Sequence, residues 1–270
     1  TLQQQSGFKA YGDHIARISI EGIIFPDRER VSRLEKIADN TSVKAVIVHI
    51  DSPGGTTVGG EELYEALRAI GKKKPVTVVM HGMAASGAYL AALSGDYIVA
   101  RRGTLTGSIG VMMQVPDISD LSQKVGLKMN IIRTGELKGE PDIFSPMNPE
   151  VSQSLHRLAN DFYEVFVNIM VKERNIDINK AKTIADGRSY TGRQALELGL
   201  IDAIGNEKTV ISWLEATKKT EHDLPVLDIK LQPDVPPVAE FFENIARKFT
   251  LPTGLYQHGL LSLWGNKPLH

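Results

Sequence analysis

The sequence predicts an α/β fold, a mainly parallel sheet whose strands are joined by crossover helices, and three observations carry that prediction. Strand-like and helix-like segments alternate from about residue 14 to residue 135, the pattern of a parallel sheet with helical crossovers. The runs VKAVIVHIDS at 43–52 and PVTVVM at 75–80 are nearly unbroken apolar stretches, as expected of strands buried on both faces. Glycine-containing turns follow strand ends at Asp51–Gly55, Gly82–Gly87 and Thr106–Gly110, where open α/β sheets gather their ligands.

The elements follow in order. HIARISIEGIIF at 14–25 alternates and carries β-branched residues, so it reads as a strand. DRERVSRLEKIADN reads as a helix ending near Asn40, and VKAVIVHIDS as a strand stopping at the following Pro-Gly-Gly. EELYEALRAIGKK is an amphipathic helix with Leu63, Leu67 and Ile70 on one side. PVTVVM, DYIVAR, GSIGVMMQV at 107–115 and KMNIIRTG at 128–135 are further predicted strands. Beyond residue 148 the period changes: Val151, Leu155, Leu158, Phe162, Val165, Phe166 and Ile169 mark one face of a long helix. Thr191 caps TGRQALELG, with Gln194 at the capping-box position and Gly199 as its stop. In the proline-richer tail, PVLDIKL and PPVAEFFENIARKF read as a late strand and a late helix. The expected division is a polar segment at 1–13, one folded domain at 14–218 and a helical C-terminal extension at 219–270.

Composition excludes more than it assigns. The 270 residues are 42% hydrophobic and 23% charged, ordinary for a globular α/β protein. A net charge of −1 offers no field for nucleic acid, so no nucleic-acid partner is expected. The chain has no cysteine, which removes thiol catalysis, cysteine-based zinc sites and disulfides together. No apolar run approaches the roughly 20 residues of a membrane-spanning helix. The polar start TLQQQSG fits a chain that begins after something upstream has been removed.

Neither nucleotide-binding glycine pattern, G-x-x-x-x-G-K-[ST] or G-x-G-x-x-G after a strand, is present. Acyl transfer is the chemistry left to consider; it needs a nucleophile, a base and donors for an oxyanion. Ser86, at a strand-to-helix turn, is either a helix cap or a nucleophile, and the N–H groups of Gly54 and Gly87 are candidate oxyanion donors. No histidine occurs between His81 and His156, and His81 reads as a packed or hydrogen-bonded strand end. A lysine serves as base when its surroundings leave it neutral. Lys138, between Gly135 and Gly139, is that candidate or simply an exposed loop lysine.

DSPGG at 51–55, AASGAY at 84–89, TGSIGV at 106–111, TGELKGEPDIFSP at 134–146 and YTGRQALELGLID at 190–202 resemble the signal peptide peptidase A family of bacterial Ser-Lys proteases. The resemblance spans residues 14 to 215 in order and spacing. It implies a Clp protease/crotonase-like fold of stacked ββα units. Carried over, Ser86 matches the nucleophile, Lys138 the general base, Gly54 and the N–H of Gly87 the oxyanion hole, and Ser108 a serine that holds the lysine in place. Clp proteases place a histidine downstream of their serine; the corresponding region here, around Val111 and Met112, has none. The resemblance further implies a short-form enzyme: a homo-oligomeric ring in which Ser86 of one subunit meets Lys138 of its neighbour. Its substrates would be cleaved signal peptides and other apolar membrane-derived peptides. It would need no metal or cofactor, and would sit at the bacterial inner membrane facing the periplasm, through an anchor outside this sequence. Two alternatives share the fold: a crotonase-like acyl-CoA enzyme, for which Glu61, Glu62 and Asp51 would supply carboxylates, and a non-catalytic oligomeric scaffold.

Overall fold

The computed structural model describes residues 12–217 and 220–231. Its frame is a sheet built on three long parallel strands: β1 (His14–Ile24), β2 (Val43–Gly55) and β3 (Val76–Ala85). Alternation sorts their side chains onto two faces. Ala16, Ile18, Ile20, Val46, Val48, Ile50, Val76, Val78 and Met80 enter one core, while Ile15, Ala45, Ile47 and Val79 enter a second. Both faces of β2 and β3 are covered, which is why VKAVIVHIDS and PVTVVM read as nearly continuous apolar runs.

The first core is closed by α1 (Arg28–Asp39), α2 (Thr57–Gly71) and the short α3 (Gly87–Ala92). Asp27 caps α1 by accepting from the N–H groups of Glu29 and Arg30. The second core is closed by α8 (Glu207–Thr217), through Val210 and Leu214.

The sheet divides along β3. Residues Thr77–Met80 pair with β4 (Tyr97–Ala100), whereas Met83–Ala85 pair with β5 (Leu105–Gly107). β4 continues to β7 (Ala203–Ile204), while β5 continues to β6 (Ser189–Thr191), the antiparallel pair of the sheet. One strand thus serves two branches, and its end lies where they diverge. This is the α/β architecture of the Clp protease/crotonase class. At the far edge β8 (Val226–Asp228) adds to β1, so part of the segment expected as an extension contributes to the sheet. The predicted helix at 236–249 lies outside the described residues.

Several boundaries move. β2 does not stop at Pro53 but keeps pairing with β1 as far as Gly55, and β3 runs five residues past Met80. The predicted strand at 107–115 shrinks to its first residue, as the end of β5. The predicted strand at 128–135 is absent: those residues form no regular element, and Ile132 is 100% exposed. Their apolar pattern is strand-like, but among the described residues no neighbouring strand takes up their backbone N–H and C=O groups.

The long helix, α5 (Pro149–Arg174), appears as predicted, with Asn148 accepting from Val151 N–H at its start. α7 (Gly192–Leu198) carries the predicted capping box between Thr191 and Gln194 and stops at Gly199, φ +82°. Three helices among the described residues lack a sequence counterpart: α4 (Ser119–Lys124), α6 (Ile178–Ile184) and α8.

Candidate active site

Ser86 stands between β3 and α3 with φ +53° and ψ −126°, a region that side-chain-bearing residues enter only when their surroundings impose it. The imposition is visible. Ser86 N–H donates to the Gly107 carbonyl at 2.8 Å, Thr106 Oγ1 donates to the Ala84 carbonyl at 2.6 Å, and Leu90 N–H donates to the Ser86 carbonyl at 3.0 Å. β5 therefore holds the turn from one side while α3 pulls from the other. Although Ser86 occupies the N-cap position, its side chain makes no capping hydrogen bond. The residue is only 7% exposed, yet it lines two adjoining cavities. A sharply turned serine with its hydroxyl unspent at a strand-to-helix junction has the geometry of a nucleophile elbow.

Gly54 shows why small residues surround it. At φ +103°, a Cβ there would lie 2.9 Å from Ser86 Cβ and 2.9 Å from Gly87 N. The end of β2 therefore touches the start of α3. Gly60 of α2 packs equally closely, since its Cβ would meet Gly87 Cα at 3.0 Å. The two candidate oxyanion donors differ. Gly87 N–H opens α3, where a helix leaves its first amides without intrahelical partners. Gly54 N–H instead donates to Ser52 Oγ at 3.1 Å, and that hydroxyl donates onward to the Gly22 carbonyl at 2.6 Å.

The first cavity, ≈ 200 Å³, is mostly apolar: Leu90, Val111, Met112, Phe162, Val165 and Phe166 wall it. The second, ≈ 480 Å³, is more polar and includes Ser108, Asn160, Tyr163 and Asp186. Ser108 has φ +49°, and its N–H donates to the Arg188 carbonyl at 2.9 Å. The cavity wall was only partly legible. The α5 stripe reads as core, yet Val165 is 41% exposed because it walls the first, apolar cavity.

Lys138 lies elsewhere. It is exposed in a turn in which its N–H donates to the Gly135 carbonyl at 3.0 Å, and it lines neither cavity. The chain alone does not bring Ser86 and Lys138 together. Nor does any histidine line either cavity; His81 stacks on His49, with ring centroids 4.7 Å apart. Among the described residues no group of three His, Cys, Asp or Glu is arranged to hold a metal ion.

Lys138 belongs to an arm, residues 108–148, with little regular structure. Along it Met112, Leu121, Val125, Leu127, Met129, Ile131, Ile132 and Met147 are all exposed.

Comparison with known proteins gives one family. Residues 68–221 match the model described as Peptidase family S49, and both Ser86 and Lys138 fall within that span. A provisionally named protease of Synechocystis sp. is 36% identical over 215 residues, covering 79% of this chain and 78% of that protein. A provisionally named signal peptide peptidase SppA of Enterococcus faecium is 32% identical, with 80% and 67% covered. Protease 4 of Haemophilus influenzae is 33% identical over 81% of this chain but 37% of its own length. Among solved structures, a serine-to-alanine mutant of the 1510-N membrane-bound stomatin-specific protease superposes with a TM-score of 0.50 at 16% identity. It covers 83% of this chain and 100% of its own, a likeness of fold.

Proposed function

The chain belongs to peptidase family S49, the family of signal peptide peptidase A, and from that premise we propose that it is a serine endopeptidase whose dyad is Ser86 and Lys138. The observation that carries the reading is the Ser86 hydroxyl: unspent in capping, held in a strained turn, and open to two cavities. Family membership displaces the acyl-CoA alternative.

In the proposed reaction a neutral Lys138 Nζ takes the proton from Ser86 Oγ as the oxygen attacks a peptide carbonyl carbon. The negative charge forming on the carbonyl oxygen is met by Gly87 N–H and, once its bond to Ser52 Oγ yields or is shared, by Gly54 N–H. The ammonium then gives its proton to the departing amine. Water, deprotonated by the same lysine, releases the acyl group and restores the hydroxyl. Ser108, beside Ser86 in the polar cavity, is the proposed lysine-orienting residue.

Since Lys138 lines neither cavity in its own chain, the lysine is proposed to come from a neighbouring subunit of a homo-oligomeric ring. The exposed apolar arm that bears it supports this assembly. The apolar walls of the smaller cavity support apolar peptides, cleaved signal peptides among them, as substrates. The proposed location is the inner membrane with the catalytic domain, residues 14–218, on the periplasmic side. Membrane attachment through an anchor is part of this proposal; among the described residues no helix is long and apolar enough to cross a membrane.

A serine-directed phosphonate should label Ser86 in the assembled protein, and S86A and K138A should each lower turnover of an apolar peptide by at least about 1,000-fold. Normal turnover in either variant would sink the dyad. A folded, assembled protein that the probe leaves unlabelled would favour the non-catalytic scaffold.

A further inference from the structure

A second group of chemically capable side chains lies away from Ser86, where α8 begins against the sheet. Arg17 of β1 grips Glu207 with two bonds of 2.6 Å and also bonds Asp228 of β8 at 2.9 Å. So held by two N–H groups of one guanidinium, the Glu207 carboxylate acts as an acceptor. The other contact of Glu207 is His49 Nε2 at 2.6 Å. That ring nitrogen must carry the proton, which leaves the Nδ1 of a neutral His49 as a bare lone pair. This Nδ1 meets His81 Nε2.

A histidine anchored through one nitrogen to a carboxylate, its other nitrogen turned as an acceptor toward a second imidazole, is the arrangement of a metal-ligating histidine with its outer support already in place. We propose that His49 Nδ1 and His81 Nε2 together bind a borderline divalent cation of the Zn²⁺ type, with Glu207 as the positioning residue. In the chain as it stands a proton on His81 Nε2 bridges the two nitrogens. On binding, that proton moves through solvent to His81 Nδ1, and the cation exchanges two of its waters for two imidazoles with no net proton release. Tetrahedral Zn²⁺ places two nitrogens about 3.3 Å apart, from Zn–N bonds of about 2.0–2.1 Å. His81 is exposed and can swing outward to open that gap, whereas His49 is held by Glu207. With two protein ligands, water completes the shell, which accords with the absence of any three-ligand group among the described residues. Imidazole ligands favour Zn²⁺, Ni²⁺ or Cu²⁺ over Mg²⁺ or Ca²⁺.

The site is separate from the proposed dyad, as neither histidine lines the cavities at Ser86. It nonetheless straddles β2 and β3 shortly before β3 reaches Ser86, so a bound cation would tie those strands together.

Calorimetric titration of the assembled protein with Zn²⁺ in a non-coordinating buffer tests it. The expected result is a site of one Zn²⁺ per chain that disappears in H81A and weakens about 10- to 100-fold in E207Q. It should persist in H222A, which removes an exposed histidine elsewhere, and Mg²⁺ should give no such binding. S86A should bind Zn²⁺ as the parent does, which keeps this result independent of catalysis. Unchanged Zn²⁺ binding in H81A, or none in the parent protein, overturns the proposal.

Discussion

At the scale of single residues, the backbone around Ser86 is as informative as its hydroxyl. Gly54 is pinned by two requirements at once: φ +103° and a Cβ position 2.9 Å from Ser86 Cβ. G54A should therefore cost more than about 1 kcal/mol of stability, since alanine is strained at positive φ. It should also lower turnover of the folded protein by about 100-fold, because a nucleophile displaced by about 1 Å loses that much. Denaturant unfolding and turnover of the same preparation check both parts; a variant with normal stability and turnover would contradict the described contact. The motif AASGAY was visible in the sequence, and with it Ser86 as a candidate. Hidden from it was that the hydroxyl makes no cap bond at an N-cap position, because capping depends on the backbone angles of the turn, not on the residue type.

Among the elements, legibility follows the range of the interactions that form them. α7 was readable to its ends, since Thr191, Gln194 and Gly199 satisfy its termini from within nine residues. The strands predicted at 107–115 and 128–135 did not form as read, because pairing needs a partner that no local pattern contains. The α5 helix was readable as a helix, but only packing decided which turns of its apolar stripe would close the core and which would face the cavity at Ser86. α2 and α5 are joined by Tyr64, whose hydroxyl donates to Glu173 at 2.6 Å. Burial first, and then this bond, push the phenol up to about 12. An unfolded tyrosine loses its proton near pH 10 (about 10), so the contribution is complete below that pH and fades as pH rises toward 12. Y64F should show a shallower loss of stability across that window than the parent protein, measured by urea unfolding at stepped pH. Identical slopes would mean the bond does not hold the two helices together.

For the whole molecule, the proposed dyad makes catalysis a property of the assembly. If each site joins Ser86 of one subunit to Lys138 of the next, S86A and K138A subunits are each inactive alone but complementary. Dissociated, mixed in equal amounts and reassembled, they should recover about a quarter of parental turnover, since random neighbours in a ring form an intact pair at that frequency. Mixed rings that remain inactive, with assembly verified by sedimentation, would place both groups of the dyad in one subunit or remove Lys138 from it.

The sequence by itself determined the two-faced parallel core, the caps of α7, the family and the short list Ser86, Lys138, Gly54, Gly87 and Ser108, because periodicity, capping and motif chemistry are written in neighbouring residues. The tertiary structure alone decided that β3 feeds two branches of the sheet, that Ser86 spends nothing on capping, and that Lys138 stands on an exposed turn away from it. It also brought His49, His81, Glu207 and Arg17 together from four separate elements. Those outcomes depend on which distant strands pair and how closely their backbones approach, and no stretch of neighbouring residues contains that information.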